Sequence, residues 1–151
     1  MSERSKIEYS EISNDWRHRD NLTWQIPSLL SAIAGGLVAA AYTVNIPADY
    51  ERAIRLMLLG FAAGLSVCLT FALGQNLLYQ LGSGKALERL RVGGEIPEGK
   101  FPRGLWPKDL GLSWKDVLKR LFGRLLGSTM LLILCLSITG CVIWLFFREL
   151  L

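Results

Sequence analysis

Charge is what this sequence withholds. Asp, Glu, Lys and Arg are absent from the 28 residues between Asp20 and Asp49, the 29 between Arg55 and Lys85, and the 23 between Arg124 and Arg148. A helix needs about 20 apolar residues to cross roughly 30 Å of hydrocarbon, so each run is long enough to span a bilayer. In a chain of 151 residues this leaves too little polar sequence for a separate globular domain of ordinary size. The same absence bears on chemistry. Catalysis or ion-coupled transport inside a membrane relies on titratable or metal-binding side chains at depth, and the three runs hold no acid, base or histidine. Neither an enzyme nor a proton-coupled transporter is expected, and no cofactor or metal is expected either.

Histidine is nearly missing too. The single one, His18, stands among charges in Trp16 to Asp20 and reads as a solvated side chain or a pH sensor. The three cysteines, Cys68, Cys135 and Cys141, lack the spacing of a zinc site or a Cys-x-x-Cys motif and read as small packing residues. The first 25 residues contain five acids and no apolar core, so no cleaved leader is expected there.

What remains predicts an all-α integral membrane protein, one membrane domain with three transmembrane helices at 26–46, 53–81 and 125–147. The first two form an antiparallel hairpin, and amphipathic interfacial helices flank the spans. Basic residues set the expected orientation. Four precede the first span and ten lie between the second and third, against two in the first turn and one after Phe147. The positive-inside rule then puts the N-terminus in the cytoplasm, as for an inner-membrane protein.

Residues 1–25 read as a lead-in helix with Tyr9, Ile12 and Trp16 on one stripe, lying on the bilayer or packed against the cytoplasmic loop. Pro27 suits the first turn of the following span. That span carries two rows of small residues at four-residue steps: Ser28, Ala32, Gly36 and Ala40, and beside them Ser31, Gly35, Ala39 and Thr43. The second span carries Gly60, Gly64, Cys68 and Ala72, with Asn76 one step further. Small residues at this spacing let helix backbones approach closely in lipid, where hydrophobicity does not drive helix pairing. These rows are the expected packing seams, within the chain or between copies. Gln75 and Asn76, amides near the cytoplasmic end of the second span, are the candidate pore-lining residues, with interhelical hydrogen bonding as the alternative.

The connection at 82–112 has seven glycines and three prolines between Gly82 and Gly111, so a cytoplasmic loop is expected, with a turn or two of helix around Ala86 to Arg91. Gly82-Ser83-Gly84-Lys85 lacks the first glycine and the hydroxyl residue of a phosphate-binding loop. Phe101, Leu105, Trp106 and Leu110 alternate with Lys100, Arg103 and Lys108, a mixture suited to an anionic leaflet, so no nucleic acid is expected. At 113–124, Ser113 and Asp116 form a capping box. Trp114, Val117, Leu118 and Leu121 then make an apolar stripe opposite Lys115, Lys119, Arg120 and Arg124. The basic amphipathic helix belongs at the membrane surface, with Trp114, Lys115, Lys119, Arg120 and Arg124 as its contacts, or continues into the third span.

The layout from Trp16 and Trp24 through the small-residue hairpin to the basic segment resembles the SLATT membrane effectors of bacterial anti-phage systems. That resemblance implies membrane permeabilisation, although a third span sets this chain apart. Three-span phage holins are similar in span number but usually run in the opposite orientation. Three helices are too few to enclose a path, so the expected activity is that of a homo-oligomer forming a pore or perturbing the bilayer. A non-conducting scaffold offering its basic loop to a cytoplasmic protein partner is the alternative.

Overall fold

A computed structural model describes residues 3–45, 47–92, 113, 115, 117, 119 and 126–151. Three long helices make up the described chain: α1 (Glu3–Thr43, 41 residues), α2 (Ala48–Arg91, 44 residues) and α3 (Leu126–Leu150, 25 residues). All three are long and apolar enough to cross a membrane. At about 1.5 Å per residue, α1 and α2 are some 60 Å long or more, twice the hydrocarbon thickness.

Two boundaries differ from the sequence expectation. The lead-in helix and the first span are one helix, with Pro27 inside it rather than in a first turn. Proline removes one backbone N–H and disfavours helix in the residue before it, yet membrane helices tolerate it because packing holds the turn. The second helix does not stop at Leu81 but runs through Gly82, Ser83 and Gly84 to Arg91. Gly82 and Ser83 are buried, and a Cβ built on Gly84 would meet Trp16 Nε1 at 3.8 Å. A helix partner on that side outweighs the intrinsic cost of glycine, about 1 kcal/mol per residue.

The chain divides into two compact units. The first comprises Met1–Thr23 and Gly74–Thr129. Within it α1 and α2 are antiparallel: as Ile12, Asp15, Asp20 and Thr23 ascend, their partners Ala86, Ser83, Gln80 and Asn76 descend. Its apolar centre is Ile12 with Ala86 and Leu90, flanked by Tyr9 and Leu87. The Tyr9 and Ile12 stripe of the lead-in thus packs against α2. Also in this unit, Ser113 Oγ accepts from the Lys115 N–H at 3.3 Å, and the Val117 N–H reaches Ser113 O at 3.0 Å, as in a capped helix start. Val117 is buried while Lys115 and Lys119 are exposed, so the apolar side of this segment lies against protein. Trp114, Arg120, Arg124 and the loop residues 93–112 lie outside the described residues.

The second unit comprises Trp24–Leu73 and Met130–Leu151, one segment from each helix. Leu30, Ala34 and Ala41 of α1, Leu59, Ala62 and Leu73 of α2, and Cys135 and Val142 of α3 form its buried apolar side chains. The helix α3 lies antiparallel to α2, because Thr139 meets Ser66 and Thr70 while Glu149 meets Arg52 and Arg55. Tyr42 near the end of α1 bonds Glu149 near the end of α3, so those two helices run in the same sense.

Candidate functional site

The first unit is joined by polar side chains at close range. Asn76 Nδ2 donates to Arg19 O at 2.7 Å and to Thr23 Oγ1 at 2.9 Å, while the Thr23 hydroxyl donates to Arg19 O. One turn on, Gln80 Nε2 donates to Asp20 Oδ1 at 3.0 Å. Next, Ser83 Oγ donates to Asp15 Oδ2 at 3.1 Å, a carboxylate that also holds Arg19 at 2.8 Å. The Arg19 guanidinium lies 4.6 Å above the Tyr79 ring. Four-residue spacing aligns these groups on one face of α2 (Asn76, Gln80 and, a step round, Ser83), so the helices zip through amides and hydroxyls. Asn76 therefore points into the seam between α1 and α2 and uses its donors there. Gln75, its neighbour, is half-buried.

In the second unit the polar groups are hydroxyls. Thr70 Oγ1 and Thr139 Oγ1 are 2.8 Å apart and buried, and Thr139 Oγ1 also donates to Ser66 O at 3.4 Å. Ser66 is fully buried, and its own Oγ has no hydrogen-bond partner among the described residues. From Arg55 to Ser66 is 11 residues, about 16 Å of helix, roughly half the 30 Å thickness of a hydrocarbon core.

One helix end of this unit is closed by charge. Arg55 bonds Glu51 on its own helix and Ala41 O on α1 at 3.2 Å, reaches Glu149 Oε2 on α3 at 3.5 Å, and covers the Tyr42 ring at 5.0 Å. Arg52 donates to the carbonyls of Glu149 and Leu150 at 3.3 and 3.1 Å, capping the last turn of α3. Tyr42 donates to Glu149 Oε1 and accepts from Arg148. Arg55 thus touches all three helices.

The chain matches no known protein family, no curated protein and no solved structure. What it can do is read from its own surfaces. The predicted packing rows are not the ones buried within the chain. Ser28, Ala32 and Gly36 are exposed and Ala40 is half-buried; Gly64, Cys68 and Ala72 are exposed, and a Cβ on Gly36 or Gly64 would meet nothing within 4 Å. Gly60 alone among them packs closely, since a Cβ there would stand 3.3 Å from Phe146 Cε2.

The three outward faces differ. With 100° per residue, Ser28, Ser31, Ala32, Gly35, Gly36, Ala39 and Thr43 share an arc of about 140° on α1 opposite Leu30, Ala34 and Ala41. Between Ser28 and Tyr42, this arc carries nothing bulkier than serine. On α2 the row of Gly64, Cys68 and Ala72 is interleaved with exposed Met57, Phe61 and Phe71, and α3 exposes Met130, Leu136 and Phe147. Three outward hydroxyls bond within their own helix: Ser28 to Trp24 O, Thr43 to Ala39 O and Ser137 to Ile133 O.

Sequence reading singled out Gln75 and Asn76 and passed over Ser66 and Thr70. Two hydroxyls four apart in an apolar run were the available signal, but nothing in one strand of sequence says that Thr139 lies across from them.

Proposed function

We propose that the chain is a homo-oligomeric inner-membrane protein, N-terminus in the cytoplasm, that forms a pore or perturbs the bilayer, acting as a bacterial defence effector. The observation that supports this most is the small-residue face of α1, left uncovered by the chain itself. Lipid-facing positions on α2 and α3 are filled by Met, Phe and Leu, which pack well against acyl chains. Serine, alanine and glycine over the same depth leave a shallow trough, which a second helix backbone fills better than lipid does. Several copies meeting through this face supply the number of helices that three alone lack.

The test combines mass with flux. Native mass spectrometry of the purified chain in a lipid-like environment should give a defined assembly of four or more copies. Liposomes containing it should release a trapped dye. A monomer in sealed vesicles would overturn the proposal.

The second reading, a non-conducting scaffold for a cytoplasmic protein, draws on one observation: Lys115 and Lys119 are exposed while Val117 is buried, so a basic side is turned outward. Sealed vesicles together with a stable oligomer would favour it.

A further inference from the structure

The polar groups deepest in the second unit face no charge and no amide. Ser66 and Thr70 on α2 and Thr139 on α3 form a strip of hydroxyls between two helices whose buried side chains are otherwise Leu59, Ala62, Leu73, Cys135 and Val142, and where Gly60 faces Phe146. A serine inside a membrane helix ordinarily bonds the carbonyl four residues before it, as Ser28 and Ser137 do on the outer surface. Ser66 Oγ does not, although it is fully buried. An orphaned hydroxyl in an apolar seam is unfavourable, and water is the ligand that would satisfy it.

The helix α3 is also held in a way that permits release. Hydrophobicity does not draw helices together in lipid, so the polar contacts weigh more than they would in water. In the second unit, those between α2 and α3 include the hydroxyl strip and the bonds of Arg52 and Arg55 to Glu149 and Leu150; those between α1 and α3 include the bonds of Tyr42 to Arg148 and Glu149. Glu149 belongs to both sets. Removing its charge loosens α3 from both partners at one end.

We propose that the seam of Ser66, Thr70 and Thr139 between α2 and α3 is a closed water path, kept shut by the Arg55–Glu149 clasp. The inference deepens the membrane-permeabilising reading and rests on it for its biological use, while the physical claim concerns the seam alone. In this arrangement the hydroxyls, rather than Gln75 and Asn76, line the wetted surface once the clasp opens.

Cys135 is a built-in reporter, fully buried on α3 one turn from Thr139 and on the same side of the helix. With Cys68 and Cys141, which are exposed, replaced by serine, it is the sole thiol of the full-length chain. A charged methanethiosulfonate reagent added to liposomes reacts with thiols that water reaches. The E149Q substitution should speed labelling of Cys135 at least tenfold over the parent. Molar salt, which shortens the screening length to about 3 Å, should speed labelling of the parent itself. Adding S66A, T70V and T139V, which make the seam apolar, should return both rates to within twofold of the resting parent. If E149Q does not insert, the salt response decides alone. Unchanged labelling in E149Q and in salt, or fast labelling that survives these apolar substitutions, overturns the proposal. Dye release measured on the same vesicles separates the two readings: faster labelling with sealed vesicles keeps the seam and sinks the pore, whereas leakage with unchanged labelling does the reverse.

Discussion

Single side chains in this chain work by what they touch across a helix pair. Asn76 illustrates it: one amide satisfies a backbone carbonyl and a hydroxyl on α1. Interhelical hydrogen bonds of this kind are each worth about 0.6 to 2 kcal/mol, so N76A should destabilise the chain by roughly 1 to 2 kcal/mol. Unfolding in mixed micelles by added denaturing detergent measures this, and an unchanged midpoint would show that the amide is idle. The glycines make a sharper comparison. At Gly60 a methyl group would press on the Phe146 ring, and overpacking of this sort costs about 1 to 3 kcal/mol. At Gly64 the space is open, so G64A should be neutral or stabilise α2 by up to about 1 kcal/mol through helix propensity. Equal effects of G60A and G64A in the same unfolding assay would contradict the geometry around Phe146.

At the scale of elements, the lead-in was legible in sequence as a stripe of Tyr9, Ile12 and Trp16, but not its continuity with the first span. Proline inside a pattern is a reasonable helix boundary when only local preference is weighed. Here Ile12 is buried with Ala86 and Leu90 of α2, Tyr9 and Trp16 are half-buried, and Pro27 is itself buried inside a continuous helix. The same reasoning covers Gly82 to Gly84, where burial against α1 continues a helix that composition would have ended. It leads to a prediction about α1. I12A empties a site that is 1% exposed, next to Ala86 and Leu90, and Ile-to-Ala changes in such cores cost about 2 to 5 kcal/mol. Amide exchange should accelerate between Glu3 and Thr23, while exchange around Ala34 stays slow. Uniform acceleration along all of α1 would mean that the two units are one cooperative block.

For the whole molecule, the decisive contrast lies between outward faces. The small rows of α1 were visible in sequence, and so was their suitability for close helix contact. Which side of α1 the chain covers was not, because Leu30, Ala34 and Ala41 recur with helical spacing just as Ser28, Ala32 and Gly36 do. Only packing against the other two helices breaks that tie. If copies meet through the uncovered face, G36L should dissociate the assembly to monomer by native mass spectrometry, while the monomer's stability is unchanged or rises by up to about 1 kcal/mol, the helix-propensity gain expected at Gly64 too. An assembly of unchanged mass would remove α1 from the interface.

Charge distribution and the length of three apolar runs determined by themselves that the chain is helical, that three of its segments are long enough to span a membrane, and that the N-terminal segment and the second connection are expected to share a side. Those properties are sums along the chain and do not depend on neighbours. The tertiary structure alone decided that Asn76 faces Thr23, that Ser66 and Thr70 face Thr139, and that Arg55 ties three helices to Glu149. Each of these pairs joins residues far apart in the chain, and a helix presents several equivalent faces until another helix selects one.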